Sequence, residues 1–147
     1  MIIHQLSVFV ENQPGRLIGP CRLLAEAQIN IVALSLAETQ NYGILRLIVR
    51  DWQKAKDLLE AGGFRATVSE VLAIQVADRP GGLLEVLGPI SAAGLNVEYM
   101  YAFSTKAGEQ AVLVFRFENP RRALEALRGS SVSFLDNVEL FGRLERM

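Results

Sequence analysis

The chain is predicted to be an α+β protein, two ferredoxin-like βαββαβ units in tandem, each an antiparallel sheet with its helices on one face. Three observations carry this. Residues 6–36, LSVFVENQPGRLIGPCRLLAEAQINIVALSL, align without a gap on residues 72–102, LAIQVADRPGGLLEVLGPISAAGLNVEYMYA, at a shift of 66 positions. Leu6 falls on Leu72, Val10 on Val76, Pro14 on Pro80, Gly15 on Gly81, Leu17 on Leu83, Ala27 on Ala93 and Asn30 on Asn96. A repeat this long exceeds a solenoid unit and suits a small domain. Within each copy the apolar pattern runs strand, helix, strand, strand, helix, strand, the split βαβ order. Finally, several strands are apolar on both faces, as at Ile31-Val32, Ile44-Leu45 and Val114-Phe115. Such a sheet is covered on both sides, the second cover being the sister repeat or another subunit.

In the first copy, Leu6, Val8 and Val10 alternate on one face of a strand over 5–10, and Asn12-Gln13-Pro14-Gly15 breaks it. Leu17, Ile18, Cys21, Leu24 and Ala25 then recur at helical spacing to about residue 27. Strands follow at 29–37 and 44–50, joined by Gln40-Asn41-Tyr42-Gly43. Trp52, Ala55, Leu58 and Leu59 mark a second helix stopped by Gly62-Gly63, and a fourth strand occupies 64–70. The second copy places strands near 71–77, 95–104, 110–117 and 137–142, helices near 82–93 and 119–128, and a hairpin at Lys106-Ala107-Gly108-Glu109. Small insertions raise the shift to 68 by the second helix, where Ala55 matches Ala123 and Leu59 matches Leu127. The domain boundary is set at residue 70, giving 1–70 and 71–147. Ser69-Glu70-Val71 runs strand into strand without a linker, which predicts close association of the two. Pro20 and Pro89 fall inside the first helix of each copy and are expected to kink it or free a carbonyl one turn earlier.

Half of the 147 residues are apolar, yet no apolar run approaches the 18 or so of a membrane span. The surplus is expected in protein interfaces, making the protein a homodimer or larger. Residues 1–70 carry seven Lys/Arg and seven Asp/Glu, and 71–147 carry eight and nine. With no basic half or stripe, a nucleic-acid partner is not expected, and neither is a membrane. Met-Ile-Ile-His-Gln reads as a strand and not as a signal peptide, and the single Cys21 suits a reducing compartment. The expected location is the cytoplasm.

The shared polar atoms sit at two places. Asn12-x-Pro14-Gly15 and Asp78-x-Pro80-Gly81 open the first helix of each copy: Pro fixes φ, Gly permits positive φ, and the Asn/Asp side chain can bond nearby amides. Such a loop is either a well-made strand-to-helix turn or a nest of helix N-terminal amides suited to a carboxylate. Asn30 and Asn96 stand where a plain strand would take Val or Ile, so each either caps the helix exit in αL conformation or meets a polar group beside the loop. Catalytic machinery is not expected. His4 is a strand residue, and Cys21 is expected to be buried and inert on the apolar helix stripe. No phosphate loop, paired carboxylates or metal-ligand spacing occurs, so no cofactor or metal is expected.

Asn12-Gln13-Pro14-Gly15-Arg16-Leu17 with Ile29-Asn30-Ile31, and Asp78-Arg79-Pro80-Gly81-Gly82-Leu83 with Leu95-Asn96-Val97, resemble the signature of ACT domains. These are regulatory modules that bind small ligands of amino-acid metabolism. The resemblance covers the whole chain as two domains. Leu95-Asn96-Val97-Glu98-Tyr99-Met100-Tyr101 is similar to free-standing tandem-ACT proteins described as amino-acid binding. The resemblance implies side-by-side domain pairing and a ligand at the interface of the paired domains, held by the Asp/Asn-x-Pro-Gly loop of one and the strand-two region of its neighbour. Carried over, that points to Asn12, Gln13, Pro14, Gly15, Arg16, Leu17 and Asn30, and to Asp78, Arg79, Pro80, Gly81, Gly82, Leu83 and Asn96. Neutral Asn12 departs from the Asp frequent in the family, so the first site is altered or vacant. The implied function is non-catalytic: binding of a free amino acid or related metabolite as a sensor or effector module. The stretch 6–15 also resembles the small regulatory subunit of acetolactate synthase, which implies the alternative of docking on a separate biosynthetic enzyme.

Overall fold

Alternating apolar residues, broken by Pro-Gly, Gly-Gly and Asx turns, lay the chain out in the computed structural model as the sequence predicts up to its last segment. Residues 1–104 and 110–144 are described, so the Lys106–Glu109 hairpin lies outside them. The first elements are β1 (Ile3–Glu11), α1 (Ile18–Glu26), β2 (Ile31–Glu38), β3 (Tyr42–Val49) and α2 (Trp52–Ala61). Then come β4 (Arg65–Ala77), α3 (Gly82–Ala92), β5 (Val97–Ser104), β6 (Gln110–Phe117), α4 (Pro120–Ala126), β7 (Ser133–Leu135) and α5 (Asn137–Leu144). The chain forms two compact units, His4–Ser69, and Met1–Ile3 together with Glu70–Met147.

In His4–Ser69 the strand order is β2-β3-β1-β4, with Val10 opposite Gly43 and Leu36 opposite Leu45. Leu6, Val8 and Val10 of β1 and Leu45 and Leu47 of β3 pack with Leu24 of α1 and Ala55 and Leu59 of α2. In Glu70–Met147, β4 pairs with both β7 and β6, and β6 pairs with β5, giving β7-β4-β6-β5. Leu72, Ile74 and Val76 of β4 and Phe115 of β6 pack with Val86 and Ile90 of α3 and Ala123 of α4. These are two copies of one topology, each with its strands in the ferredoxin-like order. Side-chain caps start the second helix of each copy. Asp51 accepts from the Lys54 amide at 3.2 Å, and Asn119 accepts from the Arg122 amide at 3.0 Å, with Pro120 in the first turn.

Three expectations are corrected. Residues 137–142 are helical and not a strand; the fourth strand of the second unit is the three-residue β7, opposite Ala73, Ile74 and Gln75. Asp136 is the cause. Its carboxylate accepts from the Glu139 amide at 2.8 Å and its carbonyl from the Leu140 amide at 2.9 Å, which starts a helix. Cys21 is exposed. The sheet-facing stripe of α1 passes through Pro20 and Leu24, which turns Ile18 and Cys21 outward. Pro20 lies in the first turn of α1, where its missing amide would have had no helical partner; only Pro89 is interior to its helix.

On the inner strands both faces are buried. Leu47 and Phe115 belong to the helix-side cores, and their neighbours Ile48 and Val114, which point the opposite way, are 0 % exposed. Exposed apolar side chains concentrate on the edge strands and helix starts: Leu34 and Leu36 on β2, Met100 on β5, Ile18 on α1 and Leu84 on α3. Among the described residues no helix is long and apolar enough to cross a membrane.

Candidate functional site

In the second copy, β4 ends at Ala77 and the chain turns through Asp78-Arg79-Pro80-Gly81 into α3. The Arg79 amide donates to the Ala77 carbonyl at 3.0 Å, Gly82 to Arg79 at 2.9 Å and Glu85 to Gly81 at 3.1 Å. Gly81 sits at φ +83°, the left-handed region. Gly82 answers a different demand: a Cβ there would stand 1.9 Å from the Ala77 carbonyl oxygen. Only glycine lets the start of α3 approach the strand end so closely.

That approach leaves a cleft of about 480 Å³ between the loop and the sheet, within the range of about 300–1,000 Å³ usual for small-molecule sites. Val76, Ala111 and Leu113 form its floor, Val76 lying directly opposite Ala111 in the sheet. Ala102 of β5, opposite Leu113, and Leu83 of α3 form its sides, and Asp78, Arg79 and Pro80 stand at its mouth. Among the described residues no hydrogen bond or ion pair engages the exposed Asp78 carboxylate. Arg79 is turned to Glu85, at 2.7 Å with both side chains more than half exposed, a pair worth about 1 kcal/mol or less. The cleft therefore offers an apolar interior and one unpartnered anion at its edge.

Of the predicted second-copy residues, Asp78, Arg79, Pro80 and Leu83 line this cleft; Gly81 and Gly82 shape the turn beside it without lining it. Asn96 is exposed in the connection between α3 and β5, and Asn30 is exposed in the corresponding connection before β2. Neither takes the αL cap conformation. That role falls to Gln28 at φ 59° and Gly94 at φ 71°, equivalent positions that the sequence reading passed over.

The first copy is built differently. Asn12, Gln13, Pro14 and Gly15 are exposed, and Gly15 takes φ +81° like Gly81. Leu17 is half-buried against the helix-side core. The helix begins at Ile18, later in the pattern than α3 does. The Asn12 Oδ1, one of the side chains able to bond nearby amides, accepts from Arg16 Nη1 at 2.5 Å. Neither α1 nor α3 carries a side-chain cap, so both depend on backbone turns at their starts. The Arg16 guanidinium reaches over β3, where a Cβ on Gly43 would lie 3.3 Å from Nη1.

Elsewhere, His4 and Trp52 stack with centroids 4.6 Å apart and planes at 19°. Among the described residues no group of three His, Cys, Asp or Glu side chains is placed to hold a metal ion.

Comparisons with known proteins place this geometry in a family. The family model described as an ACT domain pair matches residues 1–143. Protein BT0572 from Bacteroides thetaiotaomicron, a solved crystal structure, is 38 % identical with a TM-score of 0.88, the match covering 96 % of each chain. The ligand-free regulatory subunit of aspartate kinase from Thermus thermophilus matches at 17 % identity and TM-score 0.63, over 89 % of this chain and 94 % of that one. Aspartate kinase from Synechocystis matches at 20 % and 0.55, over 88 % of this chain and 26 % of the enzyme. At those identities the two kinase likenesses speak for the fold alone. No curated protein matches the chain. Two complete copies of the βαββαβ topology, each opened by an Asx-x-Pro-Gly turn, and a family match across nearly the whole length lead to one conclusion: the chain belongs to the family of ACT domain pairs.

Proposed function

We propose that this protein is a non-catalytic regulatory or sensor module that binds a free amino acid, or a closely related metabolite, through its Asx-x-Pro-Gly loops. The observation that carries the reading is the second-copy cleft, where an unpartnered Asp78 carboxylate stands at the edge of an apolar hollow. A zwitterion with an aliphatic side chain suits it. The α-ammonium meets Asp78, the carboxylate meets amides at the start of α3, and the side chain lies among Val76, Leu83 and Leu113. Asn12, Gln13, Pro14, Gly15, Arg16, Leu17, Asn30, Gly81, Gly82 and Asn96 belong to the two proposed loop regions, with Gly81 and Gly82 shaping the turn beside the open cleft. A thermal-shift screen against the twenty amino acids tests this. An aliphatic member should stabilise the protein by about 2.7 kcal/mol at a hundredfold excess over Kd. Asp78→Asn should lose that response while melting within a degree or two of the parent.

We further propose a cytoplasmic homodimer with domain boundaries at 1–70 and 71–147. Support for the dimer comes from the apolar side chains left on the edge strands, Leu34, Leu36 and Met100. The same exposed edges also fit the second reading, docking on a separate enzyme of amino-acid biosynthesis. Co-purification from native cells separates the two: a stoichiometric enzyme partner favours docking, and a self-associated protein with an amino-acid response favours the sensor.

A further inference from the structure

We infer that Arg16 is a built-in occupant of the first copy's cleft, so that each chain presents one open ligand site, at Asp78, and not two. The inference deepens the ligand-binding reading above and rests on it for the identity of the open site. Arg16 Nη1, Leu36 and Val10 converge on the space above Gly43, and these sheet residues are the counterparts of the second cleft's lining. A Cβ placed on Gly43 would lie 3.3 Å from Arg16 Nη1, 3.3 Å from Leu36 Cδ1 and 3.4 Å from Val10 Cγ2. Under the repeat shifts, Val10 corresponds to Val76, Leu36 to Ala102 and Gly43 to Ala111, all three of which line the second cleft. The sheet registers agree, since Val10 faces Gly43 as Val76 faces Ala111, and Leu36 faces Leu45 as Ala102 faces Leu113.

Three coupled differences separate the filled copy from the open one. Arg16 stands where the second copy has Gly82, supplying a side chain long enough to reach the sheet. Gly43 stands where the second copy has Ala111, removing the methyl that would crowd the guanidinium at 3.3 Å. Asn12 stands where the second copy has Asp78, and its Oδ1 accepts from Nη1. The second copy cannot adopt this arrangement, because any side chain at position 82 meets the Ala77 carbonyl oxygen. The electrostatics are opposed as well. A fixed cation occupies the first cleft and repels an α-ammonium group, whereas a free carboxylate at the second attracts it.

Chemical rescue tests the occupancy without knowledge of the natural ligand. Arg16→Gly opens the first cleft, and n-propylguanidinium should then raise its melting temperature by a few degrees while leaving the parent unmoved. The variant Gly43→Ala, which keeps Arg16 and adds the crowding methyl, should melt lower than the parent and recover in part when combined with Arg16→Gly, since Leu36 Cδ1 still stands 3.3 Å from that methyl. Absence of rescue together with a neutral Gly43→Ala overturns the inference. Calorimetric titration with L-leucine counts the sites: one per parent chain, abolished by Asp78→Asn and retained in Arg16→Gly, supports it. Two per parent chain overturns it. If the parent binds neither leucine nor any other aliphatic amino acid, the aliphatic-ligand reading fails, and the rescue experiment still decides whether Arg16 fills the first cleft.

Discussion

Gly81 and Gly82 are adjacent and do unlike work, which makes them the sharpest test at the scale of single residues. Gly81 needs left-handed φ but has open space where a Cβ would go, so Gly81→Ala should cost about 1–2 kcal/mol of backbone strain. Gly82→Ala drives a methyl into a backbone carbonyl that cannot swing aside, and should cost about 3 kcal/mol, near the upper end for overpacking. Urea unfolding of the two variants checks the order, and equal losses would mean that the helix start relaxes away from β4. The Pro-Gly motif was legible because it pairs the residue that fixes φ with the residue that tolerates positive φ. The destination of the Arg16 side chain was not, since a flexible cation can point to solvent, along its helix or back over the sheet, and only the missing methyl at Gly43 makes room for the last. Gln28 escaped notice for a related reason: its left-handed φ is imposed by the chain's return from α1 into β2 and not by its own chemistry.

The elements that were read correctly are those whose period persists for two turns or more, or for several strand residues. Residues 137–142 failed because Val138 and Leu140 alternate like a strand, and the Asp136 cap that makes them helical is a single polar atom. Short segments are decided at their ends. Removing a cap should therefore cost a measurable amount even on an exposed surface. Asp51→Ala at α2 and Asn119→Ala at α4 should each lose about 1 kcal/mol in chemical denaturation. The asymmetry between buried and capping groups can be checked on the same helix: Leu59→Ala, fully buried among β1, β3 and α1, should lose about 2–5 kcal/mol.

For the whole molecule, the near balance of charge and the residual apolar edges argue for self-association. Sedimentation equilibrium should give about twice the 16.2 kDa chain mass. Leu34→Glu together with Leu36→Glu, both already 40 % exposed or more, should shift the mass toward the monomer without unfolding the chain. A persistent dimer in that variant would move the interface away from β2. The repeat itself was the most legible property of the chain, because duplication copies the apolar period and the breakers together. Burial of the inner strands on both faces was readable for the same reason: β3 and β6 carry apolar residues at both parities, whereas β2, at the sheet edge, leaves Leu34 and Leu36 exposed.

The stack of His4 on Trp52 has an optical consequence. It joins the chain's one indole to its one imidazole within His4–Ser69, while Glu70–Met147 contains no tryptophan. Tryptophan emission is therefore a private channel for the first copy, and circular dichroism hears both. Superimposing the two melting curves distinguishes one cooperative transition from two, and a ligand at Asp78 that delays only the ellipticity change would be bound to a copy that unfolds on its own.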